Sequence, residues 1–157
     1  MTQSSPSQLP DTSARRRAMA AFAEATTDEL LAALDPIEAA HGATDLRRPE
    51  AGLVMLRGRI GGDGNAFNLG EASVARASVC LATGEVGHAY VLGRDVGKAR
   101  LAAIADALWQ ASATREHIEA TIVQPVESRL SAARSDKAAR VAATKVDFFT
   151  LVRGEDA

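Results

Sequence analysis

At about Ala43 the period of this chain changes from helical to strand-like, and as far as Gly93 only short clusters of turn formers separate the strand-like runs. In "LVMLRGRI", residues 53–60, the pleat of a strand would place Leu53, Met55, Arg57 and Arg59 on one face and Val54, Leu56, Gly58 and Ile60 on the other. "GGDGN", residues 61–65, is a turn-forming cluster, and "ASVARASVCLA" is a second strand. Thr83 and Gly84 then reverse the chain tightly into "EVGHAYVLG". Loops this short join antiparallel neighbours, because a parallel pair needs a crossover of a dozen or more residues. Residues 44–93 are therefore expected to form a meander.

Helical periodicity flanks that segment. The Ala-rich run from Arg15 to about Ala25 favours helix, and Thr27 reads as the N-cap of "DELLAAL", whose Asp28 and Glu29 suit the positive end of the helix dipole. Leu30, Leu31 and Leu34 form its expected buried stripe, and Pro36 must break it or open another turn. After Asp95, a good N-cap, Leu101, Ile104, Leu108 and Ala111 share one face with Trp109 beside it. Ile118 and Ile122 continue a shorter helical piece. Pro125 then opens a long Ala/Arg/Lys segment with a thin apolar seam of Val126, Leu130, Ala133 and Val141. Strand character returns at Val146, with Val146, Phe148, Thr150 and Val152 on one face and Asp147, Phe149, Leu151 and Arg153 on the other. The expected fold is α+β: an antiparallel sheet, meander plus C-terminal strand, with helices before and after it. Residues 1–13, polar and Ser/Pro-rich, are expected to be a disordered tail, and residues 14–157 a single domain.

Apolar residues make up 46% of the chain, but Ala supplies much of that and aromatic residues only 4%, so the core must rely on small side chains and close helix approach. A core that modest is a reason to expect help from a partner. The formal net charge of -2 creates no field that would favour nucleic acid or an anionic membrane. A single cysteine, Cys80, excludes an internal disulfide, and no run approaches the roughly 18 apolar residues of a membrane span. The leader "MTQSSPSQLPDTSARRR" does not read as a secretory signal, and a soluble cytoplasmic protein is expected.

Little chemistry is legible in single residues. His41, His88 and His117 fall on different elements without ligand spacing, so no metal is expected, and Cys80 sits mid-strand as a small apolar filler. "GRDVGK", residues 93–98, has three residues where a phosphate loop needs four and lacks the Ser or Thr after its lysine. It reads as a strand end followed by a helix start, where Arg94 and Lys98 are weak candidates for holding an anion. Gly61 and Gly62 are a second weak anion candidate, since consecutive glycine amides can form a nest, although a hairpin loop needs the same residues. Arg57 and Arg59, beside apolar neighbours, suit either a solvated face or a partner surface. No acid–base pair, activated nucleophile or cofactor fingerprint is present, so no catalytic residue is assigned. A stand-alone phosphate- or nucleotide-binding protein remains the alternative reading.

Three stretches, "AGLVMLRGRIGGDGNAFNLGEASVARA", "GHAYVLGRD" and the terminal "KVDFFTLVRG", resemble the PhnG family, the G subunit of the bacterial carbon-phosphorus lyase system. The likeness runs from about Arg15 to the end; where that family often carries a Trp in the first helix, this chain offers Met19 or Phe22. The resemblance implies a subunit of a cytoplasmic core complex with H, I and J subunits, to which ATP-binding-cassette subunits K and L attach. Together with H, I and L it implies a part in transferring methylphosphonate onto the ribose of ATP with release of adenine. ATP is then a substrate of the complex, and no cofactor is expected in this subunit. The resemblance carries no catalytic residue onto this chain and implies a non-catalytic scaffold. On that reading Arg57, Arg59, Phe148, Phe149 and Arg153 are interface candidates, because a Phe-rich terminal strand and a thin helical seam make physical sense when neighbours complete them; pairing of that strand within the meander is the alternative.

Overall fold

The computed structural model describes residues 12–61 and 63–144. Helices α1 (Thr12–Glu24), α2 (Thr27–Leu34) and the short α3 (Glu38–His41) precede strands β1 (Thr44–Gly58), β2 (Phe67–Cys80) and β3 (Val86–Leu92). Helices α4 (Val96–Gln110) and α5 (Ser112–Ile118), a π-helical turn (Glu119–Val123) and α6 (Gln124–Ala142) follow. The strands lie in the order β1-β2-β3 with both pairs antiparallel, which is the meander the alternation requires. The expected closing strand, with Phe148, Phe149 and Arg153, lies outside the described residues. Two compact units make up the chain, Met1–Glu127 and Ser128–Ala157. Every buried side chain among the described residues belongs to the first.

Local chemistry moves several expected boundaries. Helix α1 begins at Thr12, three residues before Arg15 and inside the segment read as a tail. The cap of α2 is Thr26 rather than Thr27, because Thr26 stands three residues before Glu29 and can form a reciprocal box. Its hydroxyl accepts from the Glu29 N–H at 3.1 Å, and the Glu29 carboxylate accepts from the Thr26 N–H at 2.7 Å. The buried stripe of α2 is Leu30, Ala33 and Leu34, an i, i+3, i+4 set that leaves Leu31 exposed.

Helix α4 is not the one-sided helix its stripe suggests. Asp95 caps it as expected, accepting from the Lys98 N–H at 2.8 Å, but Ala99, Ala102, Ala103, Ala105 and Ala107 are buried along with Ile104, Leu108 and Trp109. Small side chains let the sheet approach from one direction and α1 and α2 from others, so α4 is the central element of its unit. Against it the sheet presents Ala75, Ala77 and Val79 of β2, paired with Val91, Ala89 and Gly87 of β3.

Strand β1 is longer than residues 53–60 and begins at Thr44; Pro49, a residue that disfavours strand, lies within it. None of its 15 residues is buried. Because β3 pairs only with residues 74–80 of β2, the rest of β1 and β2 continues as a two-stranded ribbon. In the ribbon Leu56 pairs with Gly70 but Arg57 with Asn68, leaving Leu69 as an extra residue. This irregularity ends the expected alternation before Arg57, and Arg59 and Ile60 lie beyond the strand.

The helical piece at Ile118 and Ile122 and the segment at Pro125 form one continuous path, not two. Pro125 is the second residue of α6, directly after a π turn in which the Gln124 N–H reaches the Glu119 carbonyl. That wider turn tolerates the missing donor and the ring of a proline that would break an ordinary helix interior. Along the expected seam Val126 is buried and Leu130 half-buried, whereas Ala133 and Val141 are exposed.

Candidate functional site

Among the described residues, the candidates singled out for holding an anion do not converge. Arg94 is exposed in the turn after β3, where Gly93 adopts φ +105° and its N–H bonds to the Ser73 carbonyl. Four residues on, the N–H of Lys98 is taken by Asp95, whose other carboxylate oxygen accepts from the Thr27 hydroxyl at 3.3 Å. The start of α4 thus already faces a carboxylate, the group that an incoming anion would have to displace. Gly61, with φ +58°, sits past the far end of the ribbon, while Gly62 lies outside the described residues. Ser73 and Phe67 bound a stretch of roughly 20 Å at about 3.3 Å per residue, so the Arg94 and Gly61 candidates are separate places on the molecule. Arg57 is exposed on the ribbon, and Arg59 donates to the Gly64 carbonyl at 3.1 Å, bracing the turn.

His88 is structural: its ring Nδ1 lies 2.9 Å from the Ser78 Oγ, and its backbone N–H donates to Asp106. His117 is exposed, and Cys80 donates weakly to the Leu81 carbonyl. No group of His, Cys, Asp or Glu able to hold a metal occurs among the described residues. Surface grooves of about 220 to 350 Å³ among the described residues are lined largely by Ala and other aliphatic groups. The groove of about 350 Å³ brings Glu29, His117 and Thr121 together, but Glu29 is engaged in the cap of α2 and the Thr121 hydroxyl donates to the His117 carbonyl at 2.8 Å.

The polar centre of the first unit is Asp106, which the sequence reading passed over. Fully buried on α4, it accepts from Arg15 of α1 through Nε at 3.0 Å and Nη2 at 2.7 Å, and from the His88 N–H at 2.9 Å. The hydrogen bond to Asp106 raises the pKa of Arg15 and keeps the guanidinium charged. Its signal was a single carboxylate inside "LAAIADALWQ", since a buried charge demands a partner. A second network joins Arg17, which reaches Glu119 and Glu127 at 2.7 Å each, to Trp109, whose Nε1 donates to Glu119 at 2.6 Å. Arg115 lies 4.8 Å over the Trp109 ring. Both networks hold elements of the first unit together.

What the first unit does offer is an uncovered surface. On the sheet face away from α4, Glu50, Arg76 and Tyr90 lie opposite one another across the three strands, and Glu50 accepts from both Arg47 and Arg76. Along the ribbon, on the opposite face and beyond the cover of α4, Leu53 is 63% exposed and Met55 54%, while Leu69 is 65% and, at the ribbon's end, Ile60 78% exposed. Apolar groups this exposed on neighbouring strands mark an interaction surface better than a catalytic one.

A family described as "Phosphonate metabolism protein PhnG" matches residues 13–154. The chain is also 54% identical over 142 residues, covering 90% of each sequence, to the "Alpha-D-ribose 1-methylphosphonate 5-triphosphate synthase subunit PhnG" of Rhizobium meliloti (strain 1021). No helix among the described residues is long and apolar enough to cross a membrane.

Proposed function

Because the chain belongs to the PhnG family of phosphonate metabolism proteins, we propose that it is a subunit of an α-D-ribose 1-methylphosphonate 5-triphosphate synthase and acts there as a scaffold without catalytic residues of its own. The assembly would transfer methylphosphonate onto the ribose of ATP and release adenine. Its partners on this reading are the H, I and J subunits of a cytoplasmic core complex, with K and L attaching, and H, I and L are the ones needed with it for the synthase step. ATP is a substrate of the whole, and this chain holds no cofactor.

The observation that carries the proposal is the 54% identity, along nearly the whole length, to a protein named as a subunit of that synthase. The physical character of the surface supports the scaffold role: exposed Leu and Met side chains lie on the ribbon, while the anion candidates are scattered and one helix start is filled by Asp95. Adenine release from ATP and methylphosphonate tests it. The lone full-length chain is expected to release none and to give no saturable heat with ATP, and a mixture of H, I and L is expected to need this chain for turnover. Adenine release by the purified chain alone would overturn the scaffold role, and full turnover without it would overturn membership of the synthase.

A further inference from the structure

The two margins of the sheet are finished differently. On β3 the His88 N–H, pointing away from β2, is taken by Asp106, and the Val86 carbonyl accepts from Gln110 Nε2 at 2.7 Å, so side chains of α4 cover the first half of that margin. The direction of the His88 N–H also sets the phase of the whole sheet. Ser78, opposite His88, must aim its backbone groups at β1, and by alternation so must Arg76, Val74, Ala72 and Gly70. Their partners Glu50, Gly52, Val54 and Leu56 point inward, leaving the N–H and C=O groups of Ala51, Leu53 and Met55 directed outward. Residues 50–56 are the longest stretch of β1 with unbroken register, lying between irregularities at 47–50 and 56–57. Pro49 and those irregularities spoil the edge on either side, and no other described residue blunts it between them.

We infer that residues 50–56 form a docking edge for an extended segment of another subunit, about seven residues long, apolar on both faces and carrying a carboxylate beyond each end. This rests on the reading that the chain is a subunit of a heteromeric synthase. The apolar requirement follows from Leu53 and Met55 on one face and Val54 and Leu56 on the other, all exposed or half-exposed. The carboxylates follow from Arg48 and Arg57, which bracket the edge and make no ion pair or hydrogen bond among the described residues, whereas Arg15, Arg17, Arg47, Arg76 and Arg100 all have carboxylate partners. The same charges disfavour a second copy of this chain. Two β1 edges paired antiparallel about Leu53 would bring each Arg57 beside the other copy's Arg48, a like-charge contact that destabilises paired strands.

Residue-resolved hydrogen–deuterium exchange on the full-length chain, alone and in the complex co-purified with H, I and J, tests the inference. The amides of Ala51, Leu53 and Met55 are expected to exchange at least tenfold more slowly in the complex. Leu53→Pro removes an outward donor that the ladder to β2 does not use, so it is expected to cut retention of partner subunits at least tenfold while the lone chain keeps its circular dichroism. Arg57→Glu, which leaves the backbone untouched, is expected to weaken retention in the same direction. An assembled complex in which those three amides exchange as in the lone chain overturns this inference and leaves the subunit reading standing. Slow exchange already in the lone chain also overturns it, in favour of the chain's own terminal segment if deleting residues 145–157 restores fast exchange, or of a second copy if the lone chain is a dimer. Failure to recover any complex removes the subunit reading and this inference with it.

Discussion

Gly87 packs so tightly on Ala103 that a methyl group on its Cα would come within 1.9 Å of the Ala103 carbonyl oxygen and 2.6 Å of the Ala107 backbone nitrogen. Both obstacles are helix backbone and cannot swing aside. The sheet therefore rests on α4 at the spacing that this glycine permits. Gly87→Ala is expected to destabilise the fold by about 3 kcal/mol, near the upper end of ordinary overpacking costs. Urea denaturation of the purified variant measures it, and a midpoint equal to the parent's would show that β3 and α4 are less closely seated.

Asp106 joins α1, α4 and β3 through one carboxylate. Asp106→Ala leaves the Arg15 guanidinium without its partner and the His88 N–H without an acceptor, and is expected to cost about 2–4 kcal/mol. Gln110→Ala, which loses the bond to the Val86 carbonyl, is expected to cost about 1 kcal/mol. Equilibrium unfolding of both variants should rank them in that order; the reverse order would contradict the central place given to Asp106.

Arg76 and then Arg47, through hydrogen bonds to Glu50, hold its carboxyl below the usual carboxylate range. A carboxyl whose folded pKa is lowered adds stability above its unfolded value, and that contribution disappears as pH falls through the folded value. Because Glu50 is on the surface, the effect belongs to its own titration more than to the global transition. Carbon-detected titration should place its midpoint below that of a free glutamate, and Arg76→Ala should move it upward. An unchanged midpoint in that variant would show that the arginine does not hold the carboxylate in solution.

Burial predicts opposite responses from two apolar sites. Leu108→Ala, in the packed heart of α4, is expected to cost about 2–5 kcal/mol. Leu53→Ser and Leu69→Ser, on the exposed ribbon, are expected to change the stability of the lone chain by no more than about 0.5 kcal/mol. Thermal unfolding of the isolated variants compares them, and a large loss at Leu53 would mean that the ribbon is packed within the chain.

The meander was legible because period-two alternation and glycine-rich turns are short-range signals, and Asp95 was legible as a cap because its effect reaches only three residues. Thr26 was missed because two adjacent threonines offer the same hydroxyl, and only the spacing to Glu29 separates them. The all-round burial of α4 was hidden for a different reason: alanine is compatible with either a buried or an exposed position, and its place depends on how near the neighbours come. Asp106 was partly legible, since its lone charge in an apolar run asked for a partner, but nothing local could choose Arg15 from the three consecutive arginines 91 residues away. The first half of β1 was obscured by Pro49, which is tolerated there because an edge strand can do without one N–H.

The part of the β3 margin that α4 occupies also bears on edge-to-edge polymerisation. Open-ended stacking of one molecule on the next needs two sticky borders per molecule, one to receive and one to offer. With the Val86 carbonyl and the His88 N–H already engaged, a strand arriving at the β3 border would have to displace side chains of α4 to pair along its first half. An edgewise encounter through β1 therefore uses the more open of the two described borders of each participant, which favours a pair over a growing fibre along this sheet.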